Sequence, residues 1–250
     1  MMDTTSLTAS LSKATIAPTE LARRAGVSRN TEWSLRRDPS RAKLGTLREL
    51  ALACGLDIRI ATVEASDPYA AAAARVMVGD LLAENVENQE QLTQWVARLR
   101  RWAPDAEPLQ LTKMAAEVSA PQSRAGAIFL IGRHDPDRLA SAAIASEQPW
   151  SLSGAPALDA LGIEPISSAS PTVLWTSAPA IVMGMLLSTH RKTTVASGAN
   201  VIVAPLHQTV LAGGANLGGL ELVSPVQAVI DSLGVGGELG VAAHNIAGRW

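Results

Sequence analysis

Residues 17–60 carry the pattern that most restricts the fold, because two short segments with helical spacing of apolar residues are joined there by one glycine-containing turn. A proline at the first position suits a helix over 18–24, and Gly26 ends that helix. Ser28 is a typical N-cap residue for a second helix over 29–37. A turn this short sets the second helix at a steep angle to the first, which predicts a helix-turn-helix.

A third helix over 46–54, with Thr46 as its cap, completes a small helical core. Trp33, in the middle of the second helix, is also expected to pack against this core. The apolar residues that recur at helical spacing and are expected to face inward are Leu21, Ala22, Ala25, Leu47, Leu50, Ala51 and Cys54.

The second helix of a helix-turn-helix places its N-terminal end in the DNA major groove. Arginine binds guanine in a bidentate manner, and asparagine binds adenine in the same way. The residues expected at the base edges are Ser28, Arg29, Asn30 and Thr31. The residues expected at the phosphates are Arg24, Arg36, Arg37, Arg41 and Lys43.

The formal net charge of −2 conceals an uneven distribution along the chain. Residues 1–60 hold ten Lys and Arg against six Asp and Glu. The counts are six against nine over 61–125, and five against eight over 126–250. A basic first quarter joined to an acidic remainder indicates a nucleic-acid-binding module attached to a different domain.

The helical segments read LARRAGVSRNTEWSLRR and LGTLRELALACGLDIRI, and they resemble the xenobiotic-response-element (XRE/Cro) family of bacterial helix-turn-helix regulators. The resemblance extends over about residues 7–64. It implies a sequence-specific transcriptional regulator that binds double-stranded DNA and represses its own gene. A homodimer on an inverted-repeat operator is expected, since two-fold symmetry lets two such helices read two half-sites.

The whole chain is predicted to be an α + α/β protein with three parts. Residues 1–65 form the all-α helix-turn-helix domain, and 66–108 form a helical connector for dimerisation, dominated by one long helix over 70–102. Residues 109–250 form a mixed α/β domain, entered through a proline-rich segment. Its predicted strands are 127–131, 172–175, 193–196, 201–204 and 220–223, and its predicted helices are 136–146, 155–161, 178–187 and 225–233.

Catalytic and metal-binding patterns are weak throughout the third part. No GxSxG nucleophile elbow occurs, and the four histidines are scattered without metal-ligand spacing. The Ser153-Gly154 turn looks like the start of a nucleotidyltransferase, but the following strand over 171–175 has no carboxylates to hold Mg²⁺. We therefore expect no enzymatic activity, no cofactor and no metal.

Segments 150–162, 219–231 and 242–250 resemble the C-terminal domain of AbiEi-type antitoxins from type IV toxin–antitoxin systems. That resemblance implies a cognate nucleotidyltransferase-type toxin as partner. Apart from the resemblance, the α/β domain is expected to bind a protein or a small-molecule effector. The alternative left open is a toxin-neutralising or nucleotidyltransferase-like module in which DNA binding is secondary.

Cysteine content and hydropathy point to the compartment. Cys54 is the single cysteine, so no internal disulfide is possible. The longest uncharged apolar stretch, 178–187, is far shorter than the roughly 18 residues of a membrane helix. A cytoplasmic protein with no membrane partner is therefore expected.

Overall fold

The computed structural model describes residues 16–39, 42–133, 135–162 and 170–250. The chain divides into two compact units, Met1–Val63 and Glu64–Trp250. The described part of the first unit is helical, and the second unit combines helices with a mixed sheet. The α/β content predicted from the sequence is therefore present. No described helix has the length and apolar character needed to cross a membrane.

The first unit contains helices α1 (Pro18–Arg24), α2 (Arg29–Arg37) and α3 (Leu44–Ala53). Leu21, Leu35 and Leu50, one from each helix, form its buried cluster together with Ala25. The third helix begins earlier than predicted, because Lys43 occupies the N-cap position. Thr46 therefore lies inside α3, and its assignment as the cap was wrong.

The second unit contains nine α-helices among its described residues. They are α4 (Pro68–Met77), α5 (Gln89–Trp102), α6 (Pro108–Ser119), α7 (Pro136–Ala145), α8 (Ala155–Asp159), α9 (Pro179–Leu186), α10 (Gln208–Leu211), α11 (Pro225–Val235) and α12 (Gly237–Ala247). Short 3₁₀ turns occur at Leu81–Glu84, Pro121–Ser123 and Ala196–Gly198.

Seven strands of the described chain form one mixed sheet in the order β4-β1-β5-β3-β2-β7-β6. The strands are β1 (Ile128–Gly132), β2 (Trp150–Gly154), β3 (Thr172–Thr176), β4 (His190–Thr193), β5 (Val201–Pro205), β6 (Ala215–Leu217) and β7 (Leu220–Leu222). The pairs β3–β5 and β2–β7 are parallel, and the other neighbours are antiparallel.

Helices cover both faces of this sheet, so its central strands are buried on both sides. Along β3, Val173 and Trp175 face a cluster with α8, α11 and α12, whereas Leu174 belongs to the cluster with α7 and α9. This alternation is the two-residue period of a strand. The uninterrupted apolar sequence of β3 follows from burial on both faces.

The continuous helix predicted over 70–102 is wrong, because the chain turns at Gly79. Gly79 has φ +95°, and the Asp80 amide donates to the Arg75 carbonyl at 2.9 Å. This is the Schellman arrangement that ends a helix. The α4 and α5 helices then pack together with α6 and Ile230 of α11. Residues 66–108 thus belong to the core of the second unit and do not form a separate connector.

Three further elements differ from the predictions. The proline-rich segment contains α6, whose Pro108 occupies the first helical turn. The edge strand β4 lies at His190–Thr193, earlier than the predicted 193–196. The glycine-rich C-terminal segment forms α12, which was not predicted.

Candidate nucleic-acid interface

The α2 helix has one buried face and one exposed face. Glu32 and Leu35 are buried against the first unit. The exposed residues, called here the α2 outer face, are Arg29, Asn30, Trp33, Ser34 and Arg37. Their spacing of three and four residues places them on one side of the helix. The outer face therefore presents two arginines, an amide, a hydroxyl and an indole to solvent.

Ser28 begins α2 as the sequence predicts. Its Oγ accepts a hydrogen bond from the Thr31 amide at 3.0 Å, and the two hydroxyl oxygens lie 2.7 Å apart. The cap satisfies one of the amides that a helix start leaves unpaired. Both hydroxyls are thus engaged with each other, which reduces what Ser28 and Thr31 offer to an external ligand.

Arg29 and Asn30, unlike Ser28 and Thr31, are predicted base-contact residues whose side chains are not engaged in an interaction within the described chain. Both are exposed at the first turn of α2. Within the described ranges, neither side chain forms a hydrogen bond or an ion pair. Their polar groups are therefore available to a ligand without breaking an internal interaction.

Trp33 does not pack on the core as predicted, since 59% of its surface is exposed. The guanidinium carbon of Arg37 lies 4.7 Å from the centre of the indole ring, which is a cation–π contact. Trp33 and Ser34 were missed as site residues. The four-residue steps from Arg29 to Trp33 and from Trp33 to Arg37 are the signal that places the indole beside the arginines.

Arg36, a predicted phosphate contact, does not belong to the α2 outer face. Its Nε donates to the buried Glu32 carboxylate, one turn earlier. The Arg36 Nη2 atom is buried without a hydrogen-bond partner in the described chain. Arg36 therefore balances a buried charge, and its guanidinium is turned away from the surface that Arg37 occupies.

Arg24, another predicted phosphate contact, is exposed but already paired. Glu20 accepts hydrogen bonds from Arg24 Nε at 2.8 Å and from Arg23 Nη2 at 2.7 Å. The bonds from Arg23 and Arg24 lower the pKa of Glu20 to about 2. Glu20 is thus ionised at neutral pH and partly neutralises the basic end of α1.

The last two predicted phosphate contacts lie between α2 and α3. Lys43 is exposed at the N-cap of α3. Arg41 lies outside the described residues. The structure therefore brings Arg29, Asn30 and Arg37 together on α2, with Arg24 and Lys43 exposed on neighbouring segments of the same unit.

A second group of polar residues, buried in the second unit, is closed to ligands. Arg75 is fully buried, and its guanidinium donates to Asp80 at 2.8 Å and to the Thr209 carbonyl at 2.7 Å. The same guanidinium donates to the Ala212 carbonyl at 2.5 Å. These bonds join α4 to α10 and to the loop after it. Arg75 thus holds backbone segments together.

Asp231 is the other buried charge of the second unit. It accepts hydrogen bonds from Trp175 Nε1 at 2.9 Å and from Gln227 Nε2 at 2.8 Å. Burial raises the pKa of Asp231 to about 6. No group of three or more His, Cys, Asp or Glu side chains in the described chain is arranged to hold a metal ion. The α2 outer face is therefore the better candidate site.

Comparison with protein-family models, curated proteins and solved structures finds no match to this chain. The resemblances to XRE/Cro regulators and to AbiEi-type antitoxins therefore stay predictions.

Proposed function

We propose that the protein binds double-stranded DNA in a sequence-dependent manner through the α2 outer face. The observation that carries this proposal is the pair Arg29 and Asn30, both exposed and uncommitted at the capped start of α2. These two side-chain types recognise guanine and adenine by paired hydrogen bonds. A preceding helix and a short turn support α2, as in helix-turn-helix proteins.

Exposed cations near this face supply the attraction to phosphate. Arg37 lies on α2 itself, and Arg24 and Lys43 lie on the flanking segments. The excess of four positive charges over residues 1–60 favours the DNA backbone, whose binding depends on such charges and weakens with salt. In this assignment Arg37 binds phosphate and also orders the Trp33 indole, which is free to contact a sugar or a thymine methyl group.

The biological role that fits this binding is transcriptional regulation as an autorepressor. Helix-turn-helix proteins gain affinity as dimers on half-sites about 34 Å apart. We propose a homodimer on an inverted repeat in the protein's own promoter. The antitoxin role stays a prediction that depends on sequence resemblance alone.

A binding-site selection from random duplex DNA with the full chain tests the proposal. We expect an enriched sequence with two-fold symmetry. Arg29→Ala should weaken binding to that sequence by about 1–3 kcal/mol and relax the preference at one base pair. Arg37→Ala should weaken binding to all sequences by a similar factor.

Arg191→Ala is the matched control, because Arg191 is an exposed arginine on β4 of the second unit. It should leave DNA affinity unchanged. The proposal is wrong if selection enriches no sequence, or if Arg29→Ala and Arg191→Ala have equal effects.

A further inference from the structure

The α5 helix packs one side into the core of the second unit and leaves the other side at the surface. Leu92, Trp95 and Leu99 form the buried side, which belongs to the same cluster as α4 and α6. Of the surface residues, Arg98 is half-buried and the others are exposed. The surface side, called here the α5 outer face, consists of Glu90, Gln94, Arg98, Arg101 and Trp102.

The positive charges of the α5 outer face are not neutralised within the chain. Arg98 and Arg101 form no ion pair among the described residues. No acidic residue of α5 lies three or four positions from either arginine, so no pairing along the helix can form. The Arg98 guanidinium carbon lies 4.7 Å from the centre of the Trp95 ring, and this cation–π contact keeps the charge at the helix surface.

The carboxylates at the other end of α5 also lack cations. Glu90 accepts a hydrogen bond from Gln94 Nε2 at 3.1 Å. Glu87, two residues before the helix, accepts one from Gln208 Nε2 at 2.6 Å. Both donors are neutral amides, and neither carboxylate forms an ion pair in the described part of the chain. The helix thus has an unpaired acidic end and an unpaired basic end.

These charges are placed symmetrically about Gln94. Glu90 and Arg98 lie four residues on either side of it, and their spacing returns to the same side of a helix. Glu87 and Arg101 lie seven residues on either side of it. A two-fold axis at Gln94 would therefore set each arginine of one α5 opposite a carboxylate of a second, antiparallel α5.

An apolar pair follows the same symmetry. Trp102 and Val86 lie eight residues on either side of Gln94. Trp102 is 48% exposed, and its ring stands edge-on to Trp95 with the ring centres 5.8 Å apart. Val86 is half-buried just before α5. Tryptophan is enriched where proteins associate, and in the antiparallel pair this indole would cover the valine of the second copy.

We infer that the α5 outer face is a homodimer interface in which two α5 helices pack antiparallel. Arg98 pairs with Glu90 and Arg101 with Glu87, and the two-fold symmetry makes each contact twice. A second copy of the chain carries the matching order of charges already, which is why it is the occupant that fits this face. A helix of 14 residues is only about 21 Å long, so the dimer should be weak and should dissociate with salt.

Such a dimer supplies the two copies of α2 that an inverted-repeat operator requires. This use of the dimer rests on the function proposed above, whereas the interface itself depends on the charges of α5. The helix dipole also favours acids in the first turn and cations in the last. Arg100 lies in the same last turn but on the opposite flank of α5, so it separates the two effects.

Sedimentation velocity of the full chain over a range of concentrations tests the interface. We expect a monomer–dimer equilibrium whose Kd rises with salt. Arg98→Glu places like charges in both copies of one contact and should raise Kd about tenfold or more. Arg100→Glu, the matched control, makes the same change of charge outside the face and should change Kd by less than about twofold.

A mixture of the Arg98→Glu and Glu90→Arg chains tests the pairing directly. Each variant by itself brings like charges together across the two-fold axis. In the mixture an acidic α5 faces a basic one, so a heterodimer should form at concentrations where neither variant dimerises. A fluorescent label on one of the two chains distinguishes the heterodimer. Its formation also shows that both variants are folded.

The interface is overturned if the full chain stays monomeric up to about 0.1 mM, if Arg98→Glu and Arg100→Glu have the same Kd, or if the mixture forms no heterodimer. Gel-shift titration with the selected DNA then separates the interface from its use. Arg98→Glu should weaken binding to the inverted repeat, and an unchanged affinity refutes that use while the interface stands. A chain that dimerises through α5 but binds no DNA refutes the proposed function alone.

Discussion

Trp175 donates its indole N–H to the Asp231 carboxylate at 2.9 Å, and both side chains are buried in the second unit. Burial of the carboxylate raises its pKa from 3.8 to about 6, although the hydrogen bonds from Trp175 and Gln227 oppose the rise. The folded chain therefore retains a proton on Asp231 between about pH 4 and pH 6, where the unfolded chain has lost it. The contribution of Asp231 to stability consequently falls as the pH rises through this window.

Asp231→Asn should remove this pH dependence. The free energy of unfolding is measured in urea for both chains. The value for the natural chain minus the value for the variant should fall by about 3 kcal/mol between about pH 4 and pH 8. Asp105→Asn, at an exposed position, should show no such trend. A difference between the natural chain and Asp231→Asn that stays constant over the range contradicts the prediction.

Gly132→Ala should destabilise the edge of the sheet. Gly132 pairs with His190 between β1 and β4, and a methyl group at position 132 would lie 2.8 Å from His190 Nε2. Such overpacking costs about 1–3 kcal/mol. Adding His190→Ala should recover much of this loss, so that the two changes are not additive in thermal unfolding.

Gly184→Ala is the control for the glycine change. Position 184 lies in α9 with nothing within 4 Å of an added methyl group. Alanine favours a helix over glycine by about 1 kcal/mol, so this variant should be at least as stable as the natural chain. Additive effects of Gly132→Ala and His190→Ala on stability would show that the His190 ring does not clash with a methyl group at position 132.

Glu20→Gln should strengthen binding to DNA by releasing Arg23 and Arg24. Each further phosphate contact adds about 0.9 to the slope of log affinity against log salt. The slope, measured by fluorescence anisotropy, should therefore steepen by about 1 to 2. Glu49→Gln on α3 changes the net charge equally and makes no hydrogen bond to either arginine. Equal slopes for the two variants would refute the release of these cations.

Arg36→Met should loosen α2, because it leaves the buried Glu32 carboxylate without its partner. Because 26% of the Arg36 side chain is itself exposed, the loss of this partner should cost about 1–3 kcal/mol. Hydrogen exchange measured by mass spectrometry should accelerate in peptides from 29–37. Arg37→Met, at the exposed neighbour, should leave exchange unchanged. Equal exchange in the two variants would mean that Glu32 does not depend on Arg36.

Helix starts with a serine or aspartate cap could be predicted from the sequence, whereas Thr46 was wrongly assigned as a cap. Ser28 caps α2 as expected, and Asp135 and Ser224, whose residue types favour the same position, cap α7 and α11. A cap depends on residues within one turn of each other, so its signal is contained in a few adjacent positions.

The orientation of α2 could not be predicted in the same way. A tryptophan normally lies inside and a glutamate outside, yet Trp33 is exposed and Glu32 is buried. The choice depends on Arg36, which neutralises Glu32 from the following turn. This ion pair joins residues four apart on one helix, but hydrophobic periodicity alone does not reveal it, and so Trp33 was placed in the core.

The five consecutive alanines Ala70–Ala74 of α4 are all buried, and neighbouring helices pack on more than one side of them. The thickness of the helical layer is therefore determined by the size of a methyl group. A larger side chain at these positions must displace the side chains packed against the run. This stretch of chain thus tolerates larger side chains poorly, and its role is to keep the neighbouring helices at a fixed spacing.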